Sequence, residues 1–292
     1  MTPIGTHQTS SAVARIYDSA YFGALVEGST RSATLMVPRI LGLFANTTSV
    51  IDLGCGTGVW LHLFKGNGVP RVLGVDGGLP TRDLLMLPDN EFRAVDLSEP
   101  VCFPEKFDLA LSLEVAQHLP PGAAQTFIAS ICRLSDLVIF GAAIPGQSGT
   151  GHVNERWPSY WAALFDAKGY ELFDILRPLI WYDQRIEWWY AQNSLVFVRR
   201  TRDDLMQVAR AAAANQGLPK PLDLVHPRCF EYLQRLIEAR NKALALARRK
   251  KTSYETRMAE AEAKTQEANA RAAEAEAKAD EAKARASVQK RS

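Results

Sequence analysis

The sequence predicts an α/β fold: a doubly wound, mostly parallel seven-stranded sheet followed by a long C-terminal helix. Three observations carry this reading. Seven short apolar segments punctuate the first 200 residues, helix-forming stretches separate most of them, and the last 40 residues are mostly Ala, Glu, Lys and Arg. Strands that are apolar throughout and separated by helices belong to a parallel sheet covered on both faces.

The elements follow in order. A helix over 31–44 precedes the first strand; Pro38 inside it lacks a donor and is expected to bend it or to start its second half. Strand segments are read at 49–55, 71–77, 91–97, 107–115, 137–144, 170–179 and 193–199, with helices at 58–65, 122–134 and 159–168. The last strand has no room for a helix before it, so it is expected to insert antiparallel or close to the sheet edge. The chain then divides into a body over 1–200, a helical linker over 201–230 and a long helix over 231–292.

Composition narrows the function classes. At 292 residues, 47% apolar and 23% charged, the chain is neither a disulfide-stapled miniprotein nor a disordered one. Its longest apolar run, 137–144, is far short of the roughly 20 residues that span a bilayer, and MTPIGTHQTS contains no hydrophobic signal core. Four scattered cysteines without a CxxC pair argue against a metal knuckle and fit a reducing, cytoplasmic location. A net charge of +2 excludes a strongly basic nucleic-acid binder. That average hides a division: residues 248–292 hold twelve basic and eight acidic side chains (+4), leaving 22 and 24 (−2) in the rest.

In doubly wound sheets ligands sit beyond the carboxyl ends of the strands. After the first strand comes Asp52-Leu53-Gly54-Cys55-Gly56-Thr57-Gly58, immediately before a helix starting near Val59. Glycines at alternate positions allow a tight turn and close approach of a ligand, and the helix N-terminus offers free N–H groups to a carboxylate or phosphate. The GxGxG spacing with an acid before it suits a ligand carrying both an ammonium and a carboxylate, as an amino-acid moiety does. Asp76, at the end of the second strand, is placed to accept hydrogen bonds from vicinal ribose hydroxyls. Asp96, at the end of the third, is placed to reach an adenine amino group.

The run Val50-Ile51-Asp52-Leu53-Gly54-Cys55-Gly56-Thr57-Gly58 resembles the S-adenosylmethionine-binding loop of class I methyltransferases. Asp76, Asp96 and the segment 107–115 (FDLALSLEV) match the next landmarks in order, so the resemblance covers roughly 10–200. The run 151–161 (GHVNERWPSYW) also looks like a bacterial subgroup associated with glycan or secondary metabolism. The resemblance implies S-adenosyl-L-methionine as cofactor, with Asp52, Gly54, Gly56 and Gly58 at its methionine part. It implies Asp76 at the ribose, Asp96 at the adenine, Leu97 as a further cofactor-binding residue, and the stretch 113–118, with Glu114, near the transferable methyl. Tyr17, Tyr21 and Phe22 would belong to an N-terminal cover. Gln117-His118 stands where relatives commonly read Glu-His, so residue 117 is given no role.

A hydroxyl acceptor needs a base, and histidine is matched to neutral pH. The candidates are His152, in the glycine-rich loop after the fifth strand, and His118, after the fourth; each also fits as a loop brace. His152 with Glu155, Asp174 and Asp183 lacks the tight spacing of a metal site, so no metal is expected. The aromatic cluster of Trp157, Trp161, Trp181, Trp188 and Trp189 reads mainly as packing at the sheet edge, although the adjacent Trp188 and Trp189 cannot both face one way.

From Glu260 the tail repeats every seven residues, with Glu four residues before a base in each repeat (Glu260–Lys264, Glu267–Arg271, Glu274–Lys278, Glu281–Arg285), an orientation that supports a helix. A 4,3-spaced seam from Leu244 to Ala286 leaves both a coiled coil and a solvated spacer open.

The expected function is methylation of a hydroxyl on a glycan or small molecule, in a protein that spans no membrane and has no nucleic-acid partner. The C-terminal helix offers a route to a homo-oligomer. The alternatives are an RNA or protein methyltransferase, or a non-catalytic assembly protein that retains the fold.

Overall fold

The structure, a computed structural model, describes residues 19–78, 84–215 and 221–289, with side chains from 26 to 279 within those ranges. Seven strands form one sheet in the order β3-β2-β1-β4-β5-β7-β6. They are β1 (Ser49–Leu53), β2 (Arg71–Asp76), β3 (Phe92–Ala94), β4 (Leu109–Leu113), β5 (Leu137–Gly141), β6 (Tyr170–Phe173) and β7 (Leu195–Arg199). β1 to β5 pair in parallel, whereas β7 runs antiparallel to both β5 and β6. The last strand is therefore antiparallel as expected, and it enters between two strands rather than at the edge.

Period-two alternation sends successive side chains to two cores. On one face Val50, Leu109, Leu111, Ile139, Val196 and Val198 pack under helices α1 (Ser19–Leu43), α2 (Val59–Gly66) and α7 (Asp203–Ala214). On the other, Ile51, Leu53, Ala110, Val138, Phe140 and Phe197 pack under α3 (Ala124–Leu134) and α4 (Pro158–Asp166). Ridges such as Phe127, Ile128 and Ile131 of α3 are fully buried. Each such side chain contributes about 1.5–3 kcal/mol relative to exposure, which is what holds helix to sheet.

Two expectations are corrected. Pro38 does not start a second half: α1 runs on through it, because Ala33, Met36, Val37 and Ile40 on one face are all buried and outweigh one missing donor. Segment 170–179 is not one strand. β6 stops at Phe173, and the short α5 (Arg177–Ile180) follows, since Arg177 is drawn inward by Asp174 and by the Leu222 carbonyl.

The step into β7, where the sequence left no room for a helix, in fact holds the short α6 (Trp188–Asn193). Of the aromatic cluster, Trp161 is buried against Phe140 of the inner strand β5, Trp189 packs against the first core and edge-on to Trp188, and Trp157 is exposed. The chain separates into two compact units, Met1–Phe230 and Glu231–Ser292. Met206 and Ala209 of α7 are buried in the core of the first. The second consists of the long helix α8 (Pro227–Gln289) from Glu231 onward.

Candidate functional site

The strand order reverses between β1 and β4, which opens a crevice at their carboxyl ends. Gly54, Gly56 and Gly58 adopt φ of 92°, 52° and 79°, the left-handed region that glycine enters without a Cβ penalty. The three are not equivalent. A Cβ on Gly54 would lie 2.2 Å from Val115 Cγ2, and one on Gly58 would lie 2.6 Å from Leu87 Cγ, so these two are packing glycines. A Cβ on Gly56 would meet nothing within 4 Å. That glycine faces open space, a cradle that a side chain would fill.

Two carboxylates flank the cradle. Asp76 closes β2 and accepts hydrogen bonds from the backbone N–H groups of Gly56 and Gly78, both at 2.8 Å. Its pKa is nonetheless raised, because burial outweighs those donors. Asp52 is buried at the end of β1, and burial together with the nearby Asp76 charge pushes its carboxyl up to about 8. Two close, desolvated acids are the donor set for a cation and a diol, so the loop fits the cofactor that the sequence implied. Asp96 lies two residues beyond β3, exposed, with Oδ1 accepting from the Ser98 N–H and hydroxyl, which hold its pKa down. Leu97 beside it is buried. Tyr17 lies outside the described residues, as do the side chains of Tyr21 and Phe22.

Glu114 follows β4 with φ of 60°, a strained conformation for a residue with a side chain. Asn193 Nδ2 donates to its Oε1 at 2.8 Å, and Gln147 Nε2 and Gln117 Nε2 donate to its Oε2 at 3.2 and 3.4 Å. Burial still raises its pKa to about 7. Gln192 extends the network, donating to Gln147 and Asn193 at 3.0 Å each. Sequence reasoning missed this amide cage, including Gln117. Its one legible signal was a run of uncharged amides, Gln192-Asn193, directly before an apolar strand.

The two histidines come together, their rings edge-on with centroids 5.0 Å apart. Gln117 joins their loops, its carbonyl accepting the N–H groups of Val153 and Asn154. Burial and the neighbouring His152 lower the His118 pKa, against a backbone hydrogen bond at Gly151. His152 Nδ1 lies 2.8 Å from Glu155 Oε1, and Glu155 also accepts the N–H groups of Gly146 and Ser148. A Cβ on Gly149 would stand 2.4 Å from His152 Nε2, so the ring packs closely against the backbone of this glycine. Gly146, Ser148, Gly149, His152, Val153 and Glu155 line an open hollow of about 470 Å³. The other acids weighed with His152 are engaged elsewhere, Asp174 by Arg177 and Asp183 by Arg39 and Arg185. Among the described residues no group of three or more His, Cys, Asp or Glu is placed to hold a metal ion.

A comparison with family models assigns the chain to one family. A model described as "Methyltransferase domain" matches residues 29–175. Among solved structures, magnesium protoporphyrin IX methyltransferase from Synechocystis is 19% identical, covering 64% of this chain and 92% of its own, with a TM-score of 0.45. A sugar N-methyltransferase from Streptoalloteichus is 13% identical, covering 68% and 99%, at 0.47. An amino pentose methyltransferase from Micromonospora echinaspora is 16% identical, covering 66% and 100%, at 0.42. A search of curated proteins found no match.

Proposed function

We propose, for a chain that belongs to the class I methyltransferases, that it methylates a hydroxyl of a glycan or small molecule with His152 as the proton acceptor. The observation that carries this is the His152 ring held by Glu155 at the edge of an open, polar hollow. Gln147, between the lining residues Gly146 and Ser148, donates to Glu114 and so ties the wall of the hollow to the end of β4.

S-adenosylmethionine, the family's cofactor, supplies an electrophilic methyl group on a sulfonium. Asp52 and the N–H groups of the glycine loop would hold its amino-acid end, Asp76 its ribose, and Asp96 with Leu97 its adenine. Glu114 would close the methyl side of the crevice, with Tyr21 in the cover. The amide cage fixes Glu114, and the buried walls exclude water.

Glu155 selects the tautomer: Nδ1–H donates to its carboxylate, leaving the Nε2 lone pair for the acceptor's proton. With the S–CH3 bond breaking to leave a neutral thioether as the O–CH3 bond forms, the acceptor's proton would pass to Nε2, so no free alkoxide is needed. Positioning supplies much of the remaining rate, because an in-line displacement rewards orientation. These roles fall in residues 1–200, with 201–230 linking them to the helix over 231–292.

The test is a mass-spectrometric screen for a 14-dalton gain on hydroxylated glycans and small molecules incubated with the chain and cofactor. With an acceptor found, His152→Ala should lower turnover by about 10²–10⁴ and leave cofactor affinity unchanged. A large loss in His118→Ala with little in His152→Ala would move the role to His118. A gain found only on amines or on RNA would overturn the reading.

A further inference from the structure

The helix from Glu231 to its end carries two 4,3-spaced seams, and only one can be matched by a second copy. The first has Ile237, Leu244, Lys251 and Met258 at seven-residue spacing, with Ala247 and Tyr254 between them, and continues through alanines to Ala279. Its large apolar members are open to solvent, Ile237 58%, Leu244 48%, Tyr254 65% and Met258 44% exposed. The second runs along Ala259, Ala263, Gln266, Ala270, Ala273 and Ala277.

The flanking charges separate them. The second seam has Glu260, Glu267 and Glu274 along one side and Glu262 and Glu276 along the other. Every pairing of that seam with itself sets acid against acid. The first seam has only bases on one side, Lys250, Arg257, Lys264, Arg271 and Lys278, and on the other a mostly acidic flank, Glu255, Glu262, Asn269 and Glu276, bounded by Arg248 and Lys283.

Orientation then follows. In a parallel, in-register pair each residue of the first flank faces the opposite flank of the partner five positions on. This sets Lys250 against Glu255, Arg257 against Glu262 and Arg271 against Glu276, each twice by symmetry, against one like-charged set, Lys278 facing Lys283. An antiparallel pair sets base against base and acid against acid. We infer that the C-terminal helix forms a parallel, in-register, two-stranded coiled coil with a second copy of this chain. Lys251 and Arg240 interrupt its seam and fix the register, as single polar seam residues do. The alanines beyond Ala261 let the two backbones approach closely. The bonds Arg271 and Lys278 make within their own helix, to Glu267 and Glu274, are exposed and weak and do not change the sign of the flanks.

The experiment uses the full chain with its exposed cysteine removed (Cys102→Ser). Light scattering should give twice the chain mass. Ala261→Cys and Ala279→Cys, each made alone and treated with oxidised glutathione, should both cross-link to themselves, because parallel register brings like positions together. Arg257→Glu with Arg271→Glu should raise the dimer dissociation constant by about tenfold or more. Mixing that variant with Glu262→Arg/Glu276→Arg should restore a dimer of the two. A monomeric mass, cross-linking at only one of the two cysteine positions, or a mixture that stays monomeric would overturn the inference.

Discussion

The glycine loop yields a prediction that separates folding from ligand binding. Gly54→Ala places a methyl 2.2 Å from Val115 Cγ2 and 2.6 Å from Cγ1, on a backbone with φ of 92°. Overpacking costs about 1–3 kcal/mol and the left-handed backbone about 1–2 kcal/mol more. A loss of about 3 kcal/mol should lower the melting temperature by about 6–12 °C for a unit of this size. Gly56→Ala meets nothing within 4 Å and carries only the backbone cost at φ of 52°, about 1 kcal/mol. Its methyl fills the cradle, so S-adenosylhomocysteine binding should be lost from a protein that melts within a few degrees of the parent. Thermal denaturation and titration calorimetry on the two variants read both effects. Wild-type affinity in Gly56→Ala, or an unshifted melt in Gly54→Ala, would refute the division of roles.

Other outcomes follow from the same geometry. Asp76→Ala should weaken S-adenosylhomocysteine binding by about 1.5–3 kcal/mol in calorimetry, and an unchanged affinity would remove Asp76 from the ribose site. Because the Asp52 carboxyl titrates near 8 in the fold against 3.8 ordinarily, the folded chain holds that proton more tightly, and stability declines as pH climbs between those values. Asp52→Asn carries no such proton, so its melting advantage over the parent should widen from pH 5 to pH 8; a constant difference would contradict this. Arg177→Ala should cost about 3–5 kcal/mol in urea unfolding, since it strips a donor from the Leu222 carbonyl and the partner from Asp174. Truncation after Arg240 should leave S-adenosylhomocysteine affinity intact, because every residue assigned to the cofactor precedes 120.

The sequence by itself determined the sheet, the crevice and the long helix, because each is written in local pattern. Apolar runs of strand length, glycines at alternate positions after β1 and a seven-residue charge repeat are short-range signals with direct physical causes. The same locality explains the errors. Pro38 reads as a place where a second half can start until the burial of Met36, Val37 and Ile40 is counted, and the 170–179 run reads as one strand until Arg177 finds Asp174 and Leu222. Tertiary structure alone decided which glycine is free, since Val115 and Leu87 reach Gly54 and Gly58 from distant positions while nothing reaches Gly56. It also decided the amide cage: Glu114 and Asn193 are 79 residues apart, joined only because antiparallel β7 brings its entry beside the end of β5. Sequence spacing carries no record of such a meeting, because a buried acid's partners are fixed by which strand ends converge, not by which residues precede it.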